Sequence, residues 1–418
     1  MSRVSEPAPG LTRQRPFVLF WCARIAASMG YQMLALMIGW LIYDITGSAF
    51  DLGLVGLIQF VPAVILTLLI GHTADRYDRR LIVRIAQSVY VIAAGLIIAG
   101  LITHTLSRNL LFGAVFMIAC GRAFELPTAH AVVPALVPAQ ILPRAVAAWT
   151  SANQIAIICG PAAGGFIYAL SPLLVACLAF LFFLGSITLI SLVKTKGPET
   201  AREPPTFASV LAGFDYIRSR KRLLGVITLD LFVVMLGGAT ALLPIYARDI
   251  LNVGPSGLGL LRSAPAVGAL LTTVAMSRYP VERRVGAALF AVVSIYGIAT
   301  MIFAVSLNFP LSLLALTVLG AADAVSIVVR FSLVQIETPD AMRGRVSAIN
   351  YLFVGSSNTL GDFRAGLNAA EFGAAVSVLI GGAGSLLVAA LWMVLFPELR
   401  HIDRFQPADQ RAEPTGDV

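Results

Sequence analysis

Long apolar runs, each interrupted by few polar residues, recur from residue 17 to residue 396. Most are about twenty residues or longer, the length an α-helix needs to cross roughly 30 Å of hydrocarbon. One water-soluble core cannot hold them. Of 418 residues, 58% are hydrophobic and 12% charged, against about 45–50% apolar and about 25% charged in a globular chain. Helices apolar on every side, packed together in a bilayer, can hold this excess. The pattern predicts an all-α membrane protein.

Twelve spans are expected, in two pseudo-symmetric six-helix halves. The first half, 17–193, has spans at 17–43, 52–72, 81–102, 110–133, 147–170 and 173–193. The second, 223–396, has spans at 223–246, 257–277, 286–306, 311–334, 346–372 and 374–396. A polar lead covers 1–16 and a polar tail 397–418. The linker 194–222 contains an amphipathic stretch at 207–219, with Val210, Leu211, Phe214 and Ile217 at helical spacing. The proline-broken stretch Pro134–Pro143 is expected to part spans 4 and 5.

Basic residues fix the orientation. Of 30 Lys and Arg, only Arg108 and Arg248 fall in loops on one side, Arg24, Arg122, Arg262, Arg330 and Arg364 lie inside spans, and the other 23 fall on the opposite side. That asymmetry puts both termini in the cytoplasm, and a miscounted span would destroy it. The net charge of +8 therefore marks topology. Aromatics do not interleave with the basic clusters, which excludes nucleic acid as a partner. Cys22, Cys120, Cys159 and Cys177 all lie in apolar runs and read as small buried hydrophobes. No metal-ligand spacing joins them to the four histidines. No GxxxxGK[ST] loop occurs, so direct drive by ATP is not expected. No cofactor is expected.

Two motifs carry a family resemblance. Gly71-x-x-x-Asp75-Arg76-x-x-Arg79-Arg80, between spans 2 and 3, resembles the signature of the major facilitator superfamily, with Asp78 where glycine is usual. Gly160-Pro161-x-x-Gly164-Gly165 in span 5 resembles the superfamily's second signature, typical of antiporter branches. The stretches 230–232, 246–249, 262–265, 343–346 and 361–366, and Asp78 itself, are similar to the branch that holds enterobactin exporters and related multidrug or macrolide effluxers. The resemblance implies a secondary transporter in a bacterial inner membrane, functional as a monomer. It would be a proton-coupled antiporter, not an enzyme, that exports an amphipathic small molecule such as a siderophore, antibiotic or other natural product. An importer or uniporter is the alternative; a membrane enzyme or a sensor would need a clustered polar site or an output domain, and neither is visible.

The resemblance also implies roles. Asp75 would face the start of span 11 near Arg345–Ser347, where free N–H groups favour an anion, and with Gly71, Arg76, Arg79 and Arg80 would form an inner gate. The bare face left by Gly160, Gly164 and Gly165, with Pro161 as a kink, would admit span 8. Charges inside spans cost on the order of 2.5–3.5 kcal/mol each and are functional candidates. Arg122 and Glu125 share a face of span 4 at i,i+3, while Arg24 has no close acid in sequence. Asp323 and Arg330 share a face of span 10, Asp230 lies in span 7, and Asp362 and Arg364 lie on different faces of span 11. Structural pairing could satisfy most of them. In the functional reading a carboxyl that parts from its arginine carries the proton, with Glu125 and Asp230 first and Asp323 third.

Overall fold

The computed structural model describes residues 11–193 and 207–405, which are almost wholly helical. The linker before Phe207 and most of the tail lie outside the described residues. Packing divides the chain into two units, Met1–Ile45 with Val61–Pro204, and Thr46–Phe60 with Pro205–Val418. The second unit therefore takes in a segment of span 2 that chain order assigns to the first half.

The first unit is built from α1 (Arg15–Thr46), most of α2 (Ala49–Arg76), α3 (Arg79–Ile102), α4 (Arg108–Leu136), α5 (Leu142–Leu170) and α6 (Pro172–Leu192). Proline opens α6 and lies at the start of α5, where a missing N–H costs nothing. Ser107 caps α4, its Oγ accepting from Leu110 N at 3.3 Å. Helix α4 runs through Pro134, and the break falls at Val137–Pro138, inside the expected proline-broken stretch. Phe20 stacks on Trp149 at 5.0 Å within a buried core that also holds Val83, Ile141 and Ile190. Trp149 is thus part of the core. At Gly160 and Gly164 the helix that closes in is α1. A Cβ at Gly160 would stand 2.6 Å from Gln32 Cβ, and one at Gly164 would stand 3.1 Å from Met33 Cα. Cys159 is exposed and the other three cysteines half-buried, against the buried expectation.

The second unit contains the start of α2, α7 (Phe207–Ser219), α8 (Lys221–Gly237), the single turn α9 (Leu243–Ile245), α10 (Gly254–Arg278), α11 (Val285–Val305), α12 (Phe309–Glu337), α13 (Asp340–Phe372), α14 (Ala374–Leu395) and the short α15 (Pro397–Arg400). The amphipathic stretch is helical as expected. Ile217 enters the core while Phe214 stays exposed. Span 7, expected as one helix over 223–246, is broken. Helix α8 ends at Gly238, whose φ of +60° suits glycine, and 3-10, α and π turns follow to Ile250. The tail does not leave the bundle at Pro397. Leu399 and Ile402 are buried, and Gly286 N donates to Ile402 O at 2.9 Å.

Among the described residues, eleven helices are long and apolar enough to cross a membrane. The twelfth long helix is α13, 33 residues, which fails only on composition because it carries Asn350, Ser356, Ser357, Asn358, Asp362 and Arg364. It also starts at Asp340, six residues before the expected start of span 11. Arg345–Ser347 are therefore inside the helix, and its free N–H groups lie earlier, just after Pro339. The anion-attracting terminus expected for Asp75 is displaced accordingly.

Candidate functional site

The turn between α2 and α3 shows why aspartate replaces glycine. Asp78 has φ −57°, so no left-handed residue is needed, and its carboxylate accepts from Arg80 N at 2.9 Å as the N-cap of α3. The Arg80 guanidinium returns to the same carboxylate at 2.7 Å, and this hydrogen bond chiefly holds Asp78 below the usual carboxylate range. Arg80 also donates to Val193 O at 2.7 Å, satisfying the frayed end of α6. Arg79 donates to Ala131 O of α4 at 2.9 Å. The turn's two last arginines thus tie three helices together. Gly71, Asp75 and Arg76 lie in the last turns of α2, and their side chains fall outside the described residues.

Inside the first unit, an ionic cluster joins α1, α3, α4 and α5. Glu125 is buried. It accepts from Tyr90 Oη at 2.7 Å and Gln87 Nε2 at 3.2 Å, and Arg24 lies 3.5 Å away. Sequence spacing pairs Glu125 with Arg122, but the structure gives it Arg24. Arg122 instead stacks on Tyr31, its guanidinium carbon 3.9 Å from the ring centroid, a contact of roughly 0.5–2 kcal/mol. Arg24 also donates to Asn153 Oδ1 at 3.0 Å and lies over Trp149 at 5.2 Å. Arg24 Nε and Gln87 Oε1, both buried, have no hydrogen-bond partner among the described residues. Gln87 and Tyr90 were not singled out by sequence. Their i,i+3 spacing in span 3, which also carries Arg84 and Ser88, is the signal available in the sequence.

The second unit holds a cluster of opposite composition. Arg330 of α12 pairs directly with Asp230 of α8, and its other nitrogen lies 3.8 Å from Asp323. Its Nε donates to Ser326 Oγ at 3.0 Å. Asp230 and Arg330 are buried, but the Asp323 side chain is 41% exposed. The three charges line a narrow cavity with Tyr296, Ser326 and Val293. All three were candidates by sequence, though only Asp323 and Arg330 were placed on one face.

The span 11 charges separate in role. Arg364 donates to Met235 O at 3.1 Å and to the carbonyls of Leu236 and Gly237, the orphan acceptors at the end of α8. It is the cap that the break in span 7 requires. Asp362 carries its Cβ against Gly56 of α2, where a glycine Cβ would stand 2.9 Å away. The charge of Arg262 acts on it.

Residues 6–416 match the family described as transmembrane secretion effectors. The chain belongs to the major facilitator superfamily. It is similar to the enterobactin exporter EntS of Escherichia coli (strain K12), 24% identical over 345 residues and covering 81% of each chain. It is also similar to macrolide efflux protein A of Streptococcus pyogenes, 26% identical over 263 residues, covering 61% of this chain and 64% of that one. Among solved structures, a bacterial homologue of the human lysosomal transporter Spinster superposes with a TM-score of 0.74 at 13% identity, covering 96% of this chain and 100% of that one. A bacterial homologue of the iron transporter ferroportin gives 0.71 at 17% identity, covering 94% and 100%. This superfamily member is thus a multi-pass membrane transporter, related to exporters of a siderophore and a macrolide, and not an enzyme.

Proposed function

We propose that the protein is a proton-driven exporter of an amphipathic small molecule in the inner membrane, acting as a monomer with both termini cytoplasmic. The observation that carries this reading is the Asp230–Arg330–Asp323 cluster beside its cavity. Two carboxylates share one guanidinium, so a negative charge is left over. Asp323 is the more exposed and the more distant of the two, which suits it to exchange a proton with water. Loss of a neighbouring cation favours the protonated form of a carboxyl, and its return favours the ionised form. Movement of Arg330 between Asp230 and Asp323 as the halves alternate would couple proton entry to substrate exit. The similarity to two exporters supports the outward direction. Glu125, held by Tyr90, Gln87 and Arg24, is assigned a fixed structural charge. Asp75 with Gly71 and Arg76 keeps its assignment to the inner gate, beside the anchors Arg79 and Arg80.

Everted vesicles energised by respiration test the reading. A transported compound should dissipate the pH gradient in wild type and fail to do so in Asp323→Asn. A gradient untouched by any member of a panel of dyes, macrolides and catecholate siderophores would sink it.

A further inference from the structure

We propose that Arg122 recognises an anionic group on the exported molecule, a carboxylate or acidic phenolate carried on a planar aromatic ring. This rests on the export reading and narrows its substrate class.

The first-unit cluster has two guanidiniums and one carboxylate among the described residues. Glu125 Oε1 is taken by Gln87 at 3.2 Å and Arg24 at 3.5 Å, and Oε2 by Tyr90 at 2.7 Å. Glu125 reaches Arg122 electrostatically but not within ion-pair distance. Arg122 therefore has no carboxylate of its own among the described residues. Its flat face rests on Tyr31 at 3.9 Å. Stacking uses the face of a guanidinium and leaves the N–H donors around its edge, which suit two-point pairing with a carboxylate. Arg122 and Tyr31 are both half-buried, as are Gln32 and Asn153 on the helices beside them. A charge without a counter-ion inside a membrane helix is costly. A bound anion removes that cost, whereas a bound cation adds to it. Tyr31 gives a flat aromatic anion a ring to lie beside.

The test uses purified full-length protein without a proton gradient. Benzoate and salicylate are compared with their neutral amides and with benzyltrimethylammonium, by equilibrium binding. Wild type should prefer each anion over its amide by about tenfold or more. Arg122→Gln should abolish that preference, and Arg122→Lys should retain part of it. Equal binding of acid and amide, or a preference that survives Arg122→Gln, overturns the proposal. Should Arg122→Gln not fold, modification of wild-type Arg122 by phenylglyoxal, located by peptide mass spectrometry, decides. Benzoate should protect it and benzamide should not; equal protection, or none, overturns the proposal. Anion selectivity without proton-driven transport would fail the export reading alone. Proton-driven export confined to neutral or cationic compounds would fail this proposal alone.

Discussion

Across α1 and α4, two guanidiniums have one carboxylate between them; across α8 and α12, two carboxylates have one guanidinium. The first cluster is tightly bonded around its acid and has a spare cation at its edge. The second is tightly bonded around its base and has a spare acid at its edge. In each, the spare charge is the more exposed one, and Arg122 and Asp323 are those charges. The difference separates charges that hold helices together from charges free to meet something that arrives.

The strongest way to break that comparison is transport. Asp323→Asn should reduce proton-coupled uphill transport to background in vesicles while leaving substrate exchange intact. Retained uphill transport would remove Asp323 as the spare acid. Glu125→Gln should act on the fold instead. It strands buried Arg24 and should cost about 3–5 kcal/mol, read by unfolding in mixed SDS–detergent micelles. A folded Glu125→Gln protein that has lost only coupling would reverse the two assignments. Arg364→Met removes the bonds to three carbonyls at the break after α8. It should cost about 2–3 kcal/mol in the same assay, and an unchanged midpoint would mean those carbonyls find other partners. The smallest effect is expected at the turn. Asp78→Ala should cost about 1 kcal/mol through the lost N-cap, and Asp78→Gly only a few tenths. Equal losses in both variants would favour the Arg80 ion pair over the cap as the reason for the aspartate.

Chain-local physics made much of this legible. Run lengths located the helices, and the seven-residue spacing from Asp323 to Arg330 put both on one face. Where tertiary packing chose among partners, spacing misled. Arg122 is one turn from Glu125, yet the Tyr31 ring holds it while Arg24 crosses from another helix to make the pair. Asp230 meets Arg330 only because α8 packs on α12. The break in span 7 had a visible sign in Gly237-Gly238, but its stabiliser, Arg364, lies more than a hundred residues away. Asp78 stands directly before α3, where the capping rule applies, although the family motif drew attention to the missing glycine.

One helix belongs to both packing units. Helix α2 changes allegiance between Phe60 and Val61, and Pro62 lies immediately beyond. Proline has no N–H to give the carbonyl of Ile58, so the rod lacks one of its internal ties at the changeover. A beam clamped at both ends flexes where its section is weakest. That missing tie makes residues 58–62 the stretch of α2 that bends most easily.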